Sequence, residues 1–293
     1  MKFLGTYGCI VLLLGLAGCS SVDTGAIDNL HDGEVQVIGH AGLGFVSLIN
    51  PINPYPANSR TSILKALEEY GADGVEVDVQ MTRDSVMVLY HDRELDSRTE
   101  RTGCIIERSA DEVVGAAYHC GFPYDLFHSE TVIALEELLL LLKEQEPFPA
   151  LHLDLHAMNQ CDPDQATSHY TAFSLQLVLL LKRHQIPADR VVLISTQDEM
   201  LQRFRVLDPS LPLMLELLQT PEERLDLAIE RKYSGVVVKG KLLTADLAQR
   251  AHAAGLEVVA FGGKSRSGIA DILRQNPDAV QVNNVEAMRD LLD

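Results

Sequence analysis

Residues Gly74 to Asp92 read GVEVDVQMTRDSVMVLYHD. The first apolar run ends at Gln80 and the second begins at Val86, with only MTRDS between them. A parallel crossover takes a dozen or more residues, so the second run must fold back on the first as a hairpin. Within VEVDV a period of two puts Glu76 and Asp78 on one face and Val75, Val77 and Val79 on the other. Two carboxylates on one inward face repel each other. They stay ionised together only beside a cation or a basic group.

Outward from this hairpin, β-branched runs alternate with amphipathic helical stretches. Strands are predicted near 35–40, 74–80, 86–91, 150–156, 190–196, 212–218, 235–239, 256–262 and 279–283, with helices at 61–70, 132–145, 169–185, 221–232 and 244–254 among others. Setting the hairpin strand aside leaves eight strands with intervening helices. That pattern predicts an α/β protein, a (β/α)8 TIM barrel with an extra hairpin strand after the second barrel strand. An open doubly wound sheet is allowed by the same alternation, and the hairpin favours neither. No Pro/Gly/Ser-rich linker divides the chain after residue 33, so 34–293 is expected to be one domain.

The 24 Lys+Arg against 42 Asp+Glu give a formal charge of −18, which excludes the basic footprint of a nucleic-acid binder. Lys2 is followed by an uncharged stretch from Phe3 to Gly18, too short to span a bilayer and read as a secretory leader over 1–18. The run Leu16-Ala17-Gly18-Cys19 resembles a bacterial lipobox, which makes Cys19 the expected lipidation site and 19–33 a lipidated tether. The expected location is the bacterial envelope, facing the periplasm. Ser20, rather than an aspartate, points to the outer membrane. Cys104, Cys120 and Cys161 would then sit in an oxidising compartment, with a local Cys104–Cys120 disulfide expected and Cys161 free, although sequence leaves the pairing open. The cysteines show no metal-thiolate spacing among themselves.

In a barrel, catalytic groups stand at the C-terminal ends of the strands. His40 closes VIGH, and LHLDLH places His152, Asp154 and His156 on one face. His91 and Asp92 follow the hairpin strand. Glu76 and Asp78, with Asp154 as a third ligand, form an oxygen-rich set suited to one hard divalent cation, Mg²⁺ or Ca²⁺. A cation beside two imidazoles suits phosphoryl chemistry, one ring removing a proton and the other supplying one to the leaving alkoxide. An imidazole in the first coordination shell, such as His156, would also admit Mn²⁺ or Zn²⁺.

The order IGHAG, PANS, GVEVDVQMTRD, VLYHD and ALHLDLH resembles the glycerophosphodiester phosphodiesterase family, and VVLISTQDEMLQRFRVLDPSLPLM and AHAAGLEVVAFG extend the likeness over roughly 35–290. The resemblance implies a metal-dependent barrel enzyme that hydrolyses deacylated phospholipids to an alcohol and glycerol phosphate, a neighbouring substrate hydroxyl attacking first to give a cyclic intermediate. Carried over by position, it makes His40 and His91 the acid/base pair and Glu76, Asp78 and Asp154 the metal ligands. Asn58, His156 and Phe261 fall at substrate-binding places. This chain also departs from the pattern. The family arginine after the first histidine is Ala41, the Pro-Glu-Asn glutamate is Ala57, the third-strand Glu-x-Lys is Asp154 and His156, the late tryptophan is Phe261, and the closing Thr-Asp is Asn283-Asn284. Arg60 and Lys239 are positional candidates for the lost guanidinium, although ordinary surface charge accounts for both.

The alternative function is a barrel lipoprotein without turnover that binds a phosphorylated ligand or an envelope partner. A third keeps the enzyme but makes it a lyase acting on a lysophospholipid. The expected partners are a small-molecule phosphodiester and, through the anchor, a membrane.

Overall fold

In the computed structural model the described residues are 25–45, 53–158, 161–162, 167–218 and 220–293. The leader, Cys19 and the first part of the tether lie outside them. Eight strands pair in parallel and close on themselves: β1 (Gln36–His40), β2 (Gly74–Met81), β4 (Ala150–Leu155), β5 (Val191–Ser195), β6 (Leu213–Leu217), β7 (Gly235–Lys239), β8 (Glu257–Gly262) and β9 (Ala279–Val282). The pairing of β1 with both β9 and β2 seals the ring, which decides for the barrel over the open sheet. β3 (Met87–Leu89) runs antiparallel to the upper end of β2, with Val79 opposite Leu89 and Met81 opposite Met87. The short MTRDS connection therefore makes the hairpin that its length requires.

Register sets the height of each side chain. His40 lies alongside Glu76 and Glu76 alongside His152, while Asp78 pairs with Asp154 one layer higher. The valines between them are fully buried against the helices, so the acidic face of β2 points into the barrel. Ile38, Ile194, Met214, Val237, Val259 and Ala279 form an apolar cluster inside the barrel, of which Ile194 and Val237 reach up to the floor of the mouth. This apolar plug excludes water beneath the carboxylates, so they are solvated only from the mouth.

The helices follow α1 (Arg60–Glu68), α2 (Ala110–Val113), α3 (Leu135–Leu142), α4 (Tyr170–Arg183), α5 (Asp198–Leu207), α6 (Pro221–Arg231), α7 (Ala245–Ala253), α8 (Arg266–Leu273) and α9 (Val285–Leu292). In the leucine-rich α3 the buried positions are Leu135, Leu138, Leu139 and Leu142, a helical stripe that packs on the barrel while Leu140 faces water. This is core packing, as the alternation of strands and helices requires.

Between β3 and α3 the chain builds a small core of its own from Tyr90, Leu95, Ile105, Val113, Tyr118 and Val132, packed with Val88. The insertion lies at the mouth end of the barrel. Its disulfide joins Cys104 to Cys161, and Cys120 is the free thiol. This corrects the expected Cys104–Cys120 pair. Cys104 is bridged to Glu94, whereas the backbone N–H of Cys120 turns to Asp125, so proximity in space overrides proximity in sequence.

The last residues of the predicted tether are tied down at the opposite end of the barrel. Leu30 N–H donates to the buried Asp278 carboxylate, which also accepts from Val258 N–H and faces His252 Nε2 at 2.9 Å. Asn29 donates to the carbonyl of Pro277. The described chain thus meets the barrel from about residue 28.

Candidate active site

The mouth encloses a cavity of about 330 Å³, lined in part by His40, Phe45, Glu76, Asp78, His91 and Asp154. His156, Glu216, Phe261 and Gln281 also reach it. Strand ends position most of these side chains and the hairpin return positions His91. Seven of the eight sequence-predicted site residues among the described ones line this cavity, and Asn58 stands behind it.

Glu76, Asp78 and Asp154 bring carboxylate oxygens within 4.8 Å of one another. Metal–oxygen bonds of about 2.0–2.6 Å place coordinated oxygens roughly 3–5 Å apart, so this donor set fits one hard divalent ion. Burial pushes the Glu76 carboxyl well above the usual range, and the charges of Asp78 and Asp154 add to the push. The Ala41 backbone N–H donates to Glu76 Oε2 at 2.8 Å and opposes it. Asp78 goes the other way. Burial raises it, but the hydrogen bond and charge of His156, the charge of His91 and the Asn58 hydrogen bond together outweigh burial and hold it well below the ordinary carboxylate range. His156 Nε2 lies 3.1 Å from Asp78 Oδ1 and 3.2 Å from Asp154 Oδ2. Burial disfavours its charge, yet these two carboxylates drive its pKa well above 6.5. The imidazolium thus supplies part of the positive charge that the acidic layer requires.

Asn58, expected at a substrate-binding place, does not line this cavity and holds Asp78 from behind. Its Nδ2 donates to Asp78 Oδ2 at 2.6 Å and its Oδ1 accepts the Asp78 backbone N–H at 3.0 Å. Both ends of the amide are engaged, the residue is buried, and its backbone is left-handed at φ 63°. Ala41 is also left-handed, at φ 48°, and its carbonyl accepts the N–H of Asn58. The two loops after β1 and before α1 therefore lock each other and aim one N–H and one amide at the acidic pair.

The two predicted acid/base histidines are held differently. His40 Nδ1 meets Asn283 Oδ1 at 3.0 Å. An amide oxygen only accepts, so Nδ1 carries the proton and Nε2 keeps its lone pair, 3.8 Å from Glu76 Oε2. Burial lowers the His40 pKa below 6.5, against the pull of Asp78 and Asn283. The ring is neutral near pH 7 and able to take a proton. His91 Nδ1 pairs with Asp92 Oδ1 at 2.8 Å, an orientation that turns its other nitrogen away from the carboxylate and gives an imidazolium a partner. Phe45 stands between the histidines, its ring 5.4 Å from His40 and 5.1 Å from His91, both edge to face. Phe261 closes the far side of His40 at 6.1 Å.

Other residues of the mouth were less visible in the sequence. Asn283 appeared there only as a departure, and Phe45 carried no signal. Glu216 is inward by the alternation of LMLEL, and burial, reinforced by Asp154, pushes its carboxyl up to about 7. His152 is buried, meets Gln281 Nε2 at 3.1 Å and is pushed down to about 4 by burial, so it is a neutral packing group. Arg60 and Lys239 do not line the cavity: Arg60 lies 3.9 Å from Glu137, and Lys239 is exposed at the end of β7.

Residues 53–287 match the model of the glycerophosphoryl diester phosphodiesterase family. The chain belongs to this family. It is therefore a phosphoric diester hydrolase by class. A glycerophosphodiester phosphodiesterase of Bacillus altitudinis is 26% identical over 230 residues, covering 77% of this chain and 88% of that protein. Among solved structures, a phosphodiesterase of Oleispira antarctica in complex with sn-glycerol-3-phosphate is similar, with a TM-score of 0.72, 22% identity and coverage of 88% of this chain and 96% of that one. A glycerophosphodiester phosphodiesterase of Agrobacterium tumefaciens has a TM-score of 0.68 at 20% identity, covering 87% and 99%. These neighbours share the phosphodiesterase barrel.

Proposed function

We propose that this phosphodiesterase hydrolyses glycerophosphodiesters to an alcohol and glycerol phosphate, with His40 as general base and His91 as general acid. The observation that carries the reading is the meeting of two imidazoles with three carboxylates in one cavity. Glu76, Asp78 and Asp154 would hold one divalent cation, Mg²⁺ or Ca²⁺, which when bound neutralises phosphoryl oxygens. His40 Nε2 takes the proton of the attacking glycerol hydroxyl as its oxygen bonds to phosphorus. The bond to the headgroup oxygen breaks, and His91 gives that oxygen a proton. Water then opens the cyclic phosphate with the proton transfers reversed. Phe45 and Phe261 confine the reacting groups and keep bulk water from the base. The relative from Bacillus altitudinis and the product held by the Oleispira antarctica neighbour support this choice of substrate.

The test is hydrolysis of a glycerophosphodiester panel with added Mg²⁺ or Ca²⁺, by wild type and His40→Ala. We expect turnover in the wild type and a loss of about 10²–10⁴-fold in the variant. Absence of metal-stimulated hydrolysis by the wild type would instead favour a protein that binds a phosphorylated ligand.

We further propose that Cys19 is diacylated and holds the enzyme in the bacterial envelope, facing the periplasm. The leader and the lipobox-like run support this. Lipid labelling should be lost in Cys19→Ala, and labelling that persists would refute the anchor.

A further inference from the structure

Beside the catalytic cavity lies a second one of about 120 Å³. Phe45 and His91 line both. His91 thus stands at the boundary, and a headgroup whose oxygen faces His91 in the first cavity continues into the second. The reading rests on the proposed function, since it takes His91 as the donor to the leaving oxygen. The space in this second cavity is enough for a short headgroup.

The walls state which headgroup fits. Tyr90 and Tyr118 stack at 5.9 Å and 20°. Their hydroxyls are turned to other partners, Tyr90 to Leu95 O and Ser97 Oγ and Tyr118 to Leu89 O, so the rings supply apolar surface. Asp92 lines the cavity but is already paired with His91. Ala57 also lines it, so the glutamate that the resemblance puts at this position is missing from the wall. Among the described residues lining it, Arg98 is the one Lys or Arg, beside the His91 imidazole. Among the described residues no carboxylate lies within 4.0 Å of its guanidinium, although the chain carries a charge of −18. A guanidinium at the edge of an aromatic slot, whose acidic neighbour Asp92 feels its charge but spends its hydrogen bonds on His91 and Ser97, is suited to a carboxylate or phosphoryl group.

We propose that this cavity is the leaving-alcohol subsite and that Arg98 makes it selective for short headgroups bearing an anionic group. Glycerophosphoserine and glycerophosphoethanolamine differ only by one carboxylate and form the matched pair for the test. The ratio of their kcat/KM values is measured for wild type, Arg98→Ala and Arg98→Lys. We expect the ratio to favour the serine ester in the wild type, to fall about tenfold in Arg98→Ala and to be partly restored by lysine. A ratio unchanged by Arg98→Ala overturns the subsite while leaving the hydrolase reading intact. If the wild type turns over neither ester, the hydrolase reading fails, and calorimetric titration of the same two esters decides the subsite separately. Weaker binding of the serine ester alone in Arg98→Ala supports it, and equal losses for both esters overturn it.

Discussion

The walls formed by β2 with β4 and by β6 with β7 follow the same alternation but treat a buried carboxylate in opposite ways. Asp78 sits among His156 and Asn58, whose hydrogen bonds, with the charges of His156 and His91, keep it anionic in spite of burial. Glu216 has no side-chain hydrogen-bond partner among the described residues, and burial pushes it up to about 7. Arg224 is near, but its guanidinium donates to the carbonyls of Glu216 and Thr196 rather than to that carboxylate. Inward position is therefore not enough to make an anionic ligand. The difference lies in the donors that surround the group.

Breaking the first wall should have the largest effect. Asp78→Asn removes a charge from the carboxylate set and should lower kcat by about 10³-fold or more, with bound metal lost in elemental analysis; turnover within tenfold of wild type would show that the acidic pair is dispensable. Asn58→Ala leaves all the proposed ligands but frees Asp78 from both amide bonds. A loss of about 10–100-fold in metal affinity or activity is expected, the size typical of residues that orient ligands from behind. Metal titration of the two variants separates loss of a ligand from loss of its orientation.

His40 extends the comparison to pH. Its pKa is lowered by burial, so the acid limb of kcat/KM should have its midpoint below 6.5. A midpoint above 6.5 would mean that another group sets this limb.

Glu216 should give the smallest effect on turnover and a clear one on stability. Its folded pKa is raised from 4.5 to about 7, so folding favours the protonated form. The associated stability is complete below pH 4.5, declines as pH rises and is gone above about 7. Glu216→Gln should melt above wild type at pH 8, by on the order of 2 kcal/mol or about 4 °C with chelator present, and should match it at pH 4. Equal melting temperatures at both values would place a compensating charge beside Glu216.

The succession of strands and helices, the hairpin and the inward face of the acidic residues were all legible in the chain, because each depends on a local periodicity or a connection length. The alternation in VEVDV and LHLDLH brought Glu76, Asp78 and Asp154 to the right face before any contact was known. Families of residues in order along the chain also marked His40 and His91. What could not be read was pairing across the barrel: Asn58 gripping Asp78, Asn283 setting the proton on His40, Cys161 reaching Cys104, and Arg98 left beside a second cavity. Those contacts join residues 20, 243, 57 or more positions apart, or depend on a loop folding over the mouth. Periodicity tells which way a side chain points, and only closure of the barrel tells what it meets, because burial and hydrogen bonding depend on the neighbours that closure supplies.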